Sequence, residues 1–133
     1  MSRSYDVQKV SAALDQVIES NPLHTDRRAS TGKLGCRYME HGEPACLVAC
    51  VMAQLGVSLG VLKMLDDEGT APGSVQLRGT IHPIRKRFTP SAWDLLVYLQ
   101  RENDAGWEWD RCRQHAFDPK NRSRRFPRSW MAE

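Results

Sequence analysis

The chain has no long apolar run, and the longest one, Ala45 to Ala53, is about half of what a membrane-crossing helix needs, which argues against a span. It also lacks a His-Glu-x-x-His pair, a Gly-x-Ser-x-Gly elbow and a glycine-rich phosphate loop. The local signatures of zinc peptidases, serine hydrolases and P-loop nucleotide sites are therefore missing. Residues 1–20 alternate polar and apolar types without the uninterrupted core of an export signal, so the expected location is cytoplasmic. No Cys-x-x-Cys occurs among the four cysteines, and without an export signal they are expected to be reduced, either free or bound to metal.

What is present suits one folded domain. The 133 residues are enough for a single core and too few for two comfortable ones. Apolar residues at 41% and charged residues at 26% lie near globular values, which argues against wholesale disorder. The charge of +3 is unevenly spread: residues 111–128 carry seven basic side chains against the single acid Asp118, so the remainder of the chain sums to −3. A faintly acidic body with a basic tail points to a polyanionic partner.

Apolar periodicity predicts a first helix over about Ser4 to Ser20, capped by Ser4, with Val7, Val10, Leu14, Val17 and Ile18 inward. Residues 22–44 are irregular, with Cys36 to Met39 as a possible extended piece. Pro44 suits the first turn of a central helix through Leu55, Gly56 its left-handed end, and Ser58 the cap of the next helix to about Leu65. The stretch 70–88 is broken by Pro72, Gly73, Gly79 and Pro83. Thr89-Pro90 opens a helix carrying Trp93, Leu95, Leu96, Val97 and Leu99, and a last helix from about Trp107 places Trp109, Cys112 and Ala116 at steps of three and four. The expected fold is mainly α: a small helical bundle of four to five helices over residues 1–117, with a flexible basic arm over 118–133.

Three candidate sites follow. Residues 51–65 resemble the helix-turn-helix of bacterial DNA-binding proteins in Leu55-Gly56-Val57-Ser58, with Val51, Leu62 and Leu65 at the packing positions. That resemblance would turn Ser58, Leu59, Gly60, Lys63 and Met64 toward a groove, Ser58 and Lys63 being the two with hydrogen-bonding side chains. Met52 departs from the small residue usual there, Asp66, Asp67 and Glu68 would oppose phosphates, and an ordinary helix corner uses the same turn residues. Second, Cys46 with Cys50 and Cys112 with His115 lie at helical spacings that can each supply two ligands to zinc, with Cys36 and His41 as further donors, although buried cysteines also serve as small hydrophobes. Third, Arg85, Lys86 and Arg87 and the tail residues Arg111, Arg113, Lys120, Arg122, Arg124, Arg125 and Arg128 can hold phosphates or an acidic protein surface, while Phe126 and Trp130 can stack on bases.

Cys36-Arg37-Tyr38, Gly42-Glu43-Pro44-Ala45-Cys46-Leu47-Val48, Leu55-Gly56-Val57, and Gln100 with Asn103-Asp104-Ala105-Gly106-Trp107 together resemble small uncharacterised helical proteins of actinobacteria and their bacteriophages. The likeness spans residues 34–116. Cys50 stands where that group often has glycine, and the basic arm is an addition. No activity is attached to the group, so it implies only context: a phage or accessory-gene product that binds a host or phage macromolecule, protein or nucleic acid, without catalysis.

Overall fold

A computed structural model describes residues 5–21, 39–40, 42–68, 83–121 and 130. Of the predicted extended piece Cys36–Met39 only Met39 is among them, in β1, and of the broken stretch 70–88 only residues 83–88. Among the described residues the protein is mainly α, with helices α1 (Val7–Ser20), α2 (Leu47–Gln54), α3 (Leu59–Glu68), α4 (Pro90–Asp104) and α5 (Trp109–Phe117). Short 3-10 turns cover Pro83–Arg87 and Pro119–Asn121, and strands β1 (Met39–Glu40) and β2 (Glu43–Pro44) form an antiparallel ribbon with Met39 opposite Pro44. No described helix is long and apolar enough to cross a membrane.

The predicted stripe of α1 is buried, from Val7 and Val10 through Leu14 to Ile18. Its start differs from expectation. Asp6, not Ser4, is the cap, accepting the Lys9 N–H at 2.9 Å, because Tyr5 is drawn into a parallel bridge with Phe88. In that bridge Tyr5 donates its N–H to the Arg87 carbonyl at 2.6 Å and accepts from the Thr89 N–H at 3.0 Å. The chain start is thereby clipped to the start of α4, where Thr89 caps Ala92 as its Thr-Pro signature predicts.

The central helix also begins later than predicted. Pro44 belongs to β2, and Cys46 is the cap, its sulfur accepting from the Ala49 N–H at 3.4 Å. Leu47, Val48, Ala49, Val51 and Met52 are then all buried, as the all-round apolar pattern requires. α1 packs on α2, α4 and α5, α2 packs on α4, and α4 packs on α5, while the ribbon leans on α2 and α3.

Two corners share one geometry. At the first, Gly56 adopts φ 97 and donates to the Ala53 carbonyl while Val57 donates back to Met52. At the second, Gly106 adopts φ 89 and donates to Asn103 while Trp107 donates to Glu102 at 3.4 Å. These are paired Schellman closures, each satisfying helix-end carbonyls that would otherwise be orphaned. A Cβ at Gly56 would meet nothing within 4 Å, so only the backbone conformation demands glycine there. Gly56→Ala and Gly106→Ala should each lower stability by about 1 kcal/mol in urea unfolding, since a side chain is strained in the left-handed region. A loss at one corner alone would contradict their equivalence.

Candidate interaction surfaces

The cationic residues singled out from the sequence separate into structural and free sets. Arg87 donates to the Tyr5 hydroxyl at 2.6 Å and lies over its ring at 5.0 Å, while that hydroxyl donates to the Leu55 carbonyl at 3.1 Å. Arg87 therefore fastens the chain start to the first corner. Arg85 sits 5.9 Å from the Trp93 ring centroid, and Arg113 bridges Asp15 of α1 at 3.2 Å and Asp110 at 2.8 Å. Lys86, Arg111 and Lys120 are exposed. Arg122, Arg124, Arg125, Phe126 and Arg128 lie outside the described residues.

Trp130 occupies a different setting from the one predicted for it. It is 5% exposed, its indole N–H donates to the Ala116 carbonyl at 3.2 Å, and its ring meets Tyr98 at 5.8 Å. A ring so covered cannot stack on a base. The residue is instead part of the core, held at Ala116 and Tyr98. Beside it, Val7, Ala12 and Phe117 line an open groove with Gln8, Ser11 and Asp15.

The first corner turns the chain from α2 into α3 at Gly56. Ser58 caps α3 through Oγ, accepting the Val61 N–H at 3.3 Å, and Leu62 and Leu65 are fully buried. Ser58, Leu59, Gly60, Lys63 and Met64 are exposed together. Two of them are large and apolar, Leu59 at 47% and Met64 at 54% exposure. A Cβ on Gly60 would meet only the Ser58 hydroxyl at 3.9 Å, so the helix backbone is open to close approach there.

The thiols sit in protective surroundings. Burial, then the neighbouring Cys46, pushes the Cys50 thiol up to about 12, and Cys50 donates to the Pro44 carbonyl at 3.8 Å. Burial, then the Glu102 carboxylate, likewise pushes Cys112 up to about 12. Neutral thiols are poor nucleophiles and poor metal ligands. Cys46 is fully buried, and Cys36 and His41 lie outside the described residues. Among the described residues no three His, Cys, Asp or Glu side chains gather as a metal cluster, and His115 faces Glu102 at 3.7 Å.

Sequence reasoning passed over Asn103 and Trp107. Asn103 is 1% exposed and accepts at Oδ1 from the Trp109 indole at 3.0 Å and the Leu47 N–H at 3.5 Å. Trp107 is 47% exposed. No family model, curated protein or solved structure matches the chain. The surfaces themselves must carry the functional reading.

Trp130→Ala should lower unfolding stability by about 3 kcal/mol, the usual loss for emptying a buried tryptophan site; an unchanged melting curve would contradict its anchoring role. Native Cys50 and Cys112 should resist iodoacetamide at neutral pH. Because folding raises both thiols from about 9, their stabilising contribution is complete below pH 9 and is lost as pH climbs toward 12. Rapid neutral labelling of the folded protein would contradict this.

Proposed function

We propose that the chain is a non-catalytic interaction protein that docks a macromolecular partner on the outer face of α3, with the basic C-terminal stretch assisting by charge. The observation that carries this reading is the exposure of Leu59 and Met64 around the open backbone of Gly60, on a helix whose opposite face is fully packed. Large apolar side chains around a point of close approach gain by desolvation against a complementary surface. Only Ser58 and Lys63 on this face have side chains that hydrogen-bond, and Asp66, Asp67 and Glu68 follow in sequence, so a protein suits it better than a phosphate backbone. The resemblance of residues 34–116 to actinobacterial and phage proteins belongs to the same proposal, which makes this a phage or accessory-gene product acting on a host or phage component in the cytoplasm. The raised thiols of Cys50 and Cys112 favour binding over covalent chemistry.

A second reading, a duplex-DNA regulator, is supported by one feature: where the sequence resembles a helix-turn-helix, Gly56 turns the chain, Ser58 caps α3, and Val51, Leu62 and Leu65 are buried. It predicts sequence-selective duplex binding that survives removal of residues 118–133 and falls with Lys63→Ala. The leading reading predicts that affinity capture from the host retains a protein lost by a Leu59→Glu, Met64→Glu double variant whose melting temperature is unchanged. Capture insensitive to those two substitutions would overturn it.

A further inference from the structure

The second corner leaves two consecutive side chains that folding does not use. At the position after the left-handed glycine, Val57 is 4% exposed, whereas Trp107, at the same point of an equivalent closure, is 47% exposed. That position ordinarily packs on the helix it terminates, yet here Trp109 supplies the core contact at 3% exposure. The next residue, Glu108, heads α5 without a capping hydrogen bond from its side chain, and its carboxylate makes no ion pair among the described residues. An uncovered indole is thus followed by an unengaged carboxylate.

The Trp107 ring is nonetheless fixed. Its residue is held through the backbone, donating to the Glu102 carbonyl at 3.4 Å and accepting from the Cys112 thiol at 3.7 Å. The His115 ring meets the indole edge to face, with centroids 4.9 Å apart and planes at 83°. His115 Nδ1 lies 3.7 Å from the Glu102 carboxylate, so a second negative group stands one imidazole away from the indole. A ring oriented in advance has little freedom left to lose when a guest settles on it.

The charge around this ring favours a cation. α4 ends and α5 begins here, so the negative end of one helix dipole meets the positive end of the other and side chains set the balance. Glu102, Asp104, Glu108 and Asp110 are set against Arg101, Arg111 and Arg113. Arg113 is moreover divided between Asp110 and Asp15 of α1, so five carboxylates share three guanidiniums, a negative surplus that protonation of His115 does not cancel. Among the described residues no Arg or Lys lies over the Trp107 ring, although Arg85 and Arg87 cover Trp93 and Tyr5. An open indole face in a negative field attracts a cation, and tryptophan is the ring that does so best.

We infer that Trp107 and Glu108 form a docking point for an arginine side chain of a protein partner, with the guanidinium lying flat on the indole in the negative field of Glu108 and Glu102. Arginine suits the site better than lysine because its planar group stacks on a ring and also pairs with carboxylates. A small free cation does not suit it, since one half-open ring encloses little and small-molecule sites bury most of their ligand. A protein brings further contact of its own. The site belongs to the second corner and not to α3, so the two surfaces can succeed or fail separately.

The test is a magnetic-resonance titration of the full, isotope-labelled chain with tetra-arginine, tetralysine and oligothymidylate, read at the Trp107 indole N–H, which is assigned by its loss in Trp107→Phe. Tetra-arginine should shift that resonance and leave the buried Trp109 and Trp130 indoles in place, with an affinity that falls as salt rises. Tetralysine should bind more weakly. In polarisation titrations with labelled tetra-arginine, Trp107→Ala should weaken binding by about 2- to 5-fold, the share of one exposed cation–π contact, with Trp107→Phe in between. Glu108→Gln should weaken it by about 2-fold and flatten its salt dependence, as for one exposed ion pair. A Leu59→Ala, Met64→Ala variant should bind the peptide as wild type does. Thermal melts accompany every variant, and Trp107→Phe carries the test if Trp107→Ala melts early. A Trp107 resonance unmoved by millimolar tetra-arginine would overturn the inference, as would wild-type affinity in folded Trp107 variants or in Glu108→Gln. Equal affinity for tetralysine would overturn the choice of arginine. Oligothymidylate moving the indole in place of tetra-arginine would overturn the site's sign of charge and reassign it to nucleic acid.

Discussion

The arrangement of the helices depends on a single side-chain oxygen. Asn103 lies in the last turn of α4, almost wholly buried, and its Oδ1 receives the indole N–H of Trp109 and the first backbone N–H of α2. Three helices therefore end or begin at one acceptor. A buried amide without such partners would cost about 1–3 kcal/mol, whereas a satisfied one fixes the relative positions of the groups that share it. Both candidate surfaces hang from this point. α3 is carried by the corner at the end of α2, and Trp107 lies between Asn103 and the Trp109 that Asn103 holds.

Much of this architecture is legible locally because the signals act through neighbouring residues. Gly56 and Gly106 mark corners that need positive φ, Thr89-Pro90 and Ser58 mark helix starts, and the apolar steps of α1 and α4 mark buried faces. The misjudged features depend on distant partners. Ser4 suits the cap on sequence alone, and it is the pairing of Tyr5 with Phe88, more than eighty residues away, that makes Asp6 the cap instead. Pro44 reads equally well as a helix opener until β1 is there to pair with it. Trp130 sits in a polar, arginine-rich context that resembles a free tail, and only its contacts with the Tyr98 ring and the Ala116 carbonyl show why it is retained.

The same distinction runs through the candidate sites. A pattern of cations says how much charge is present but not which charges are already neutralised: Arg87 and Arg113 hold the fold together, while Lys86, Arg111 and Lys120 face solvent. A pattern of cysteines says nothing about desolvation, and at Cys50 and Cys112 desolvation keeps the thiols protonated. Exposure of an apolar residue has no sequence signature of its own, since Leu59 and Leu62 are three positions apart on one helix and lie on opposite sides of the burial boundary.

The central claim is that one oxygen joins three helices, and native-state hydrogen exchange in an Asn103→Leu variant tests it most directly. Removing the acceptor while keeping the branching of the side chain should expose two protons that are far apart in sequence, the Trp109 indole N–H and the Leu47 amide, to faster exchange together. If either retained its wild-type protection while the other lost it, or if both were unaffected in a folded variant, the junction at Asn103 would not be what sets the bundle.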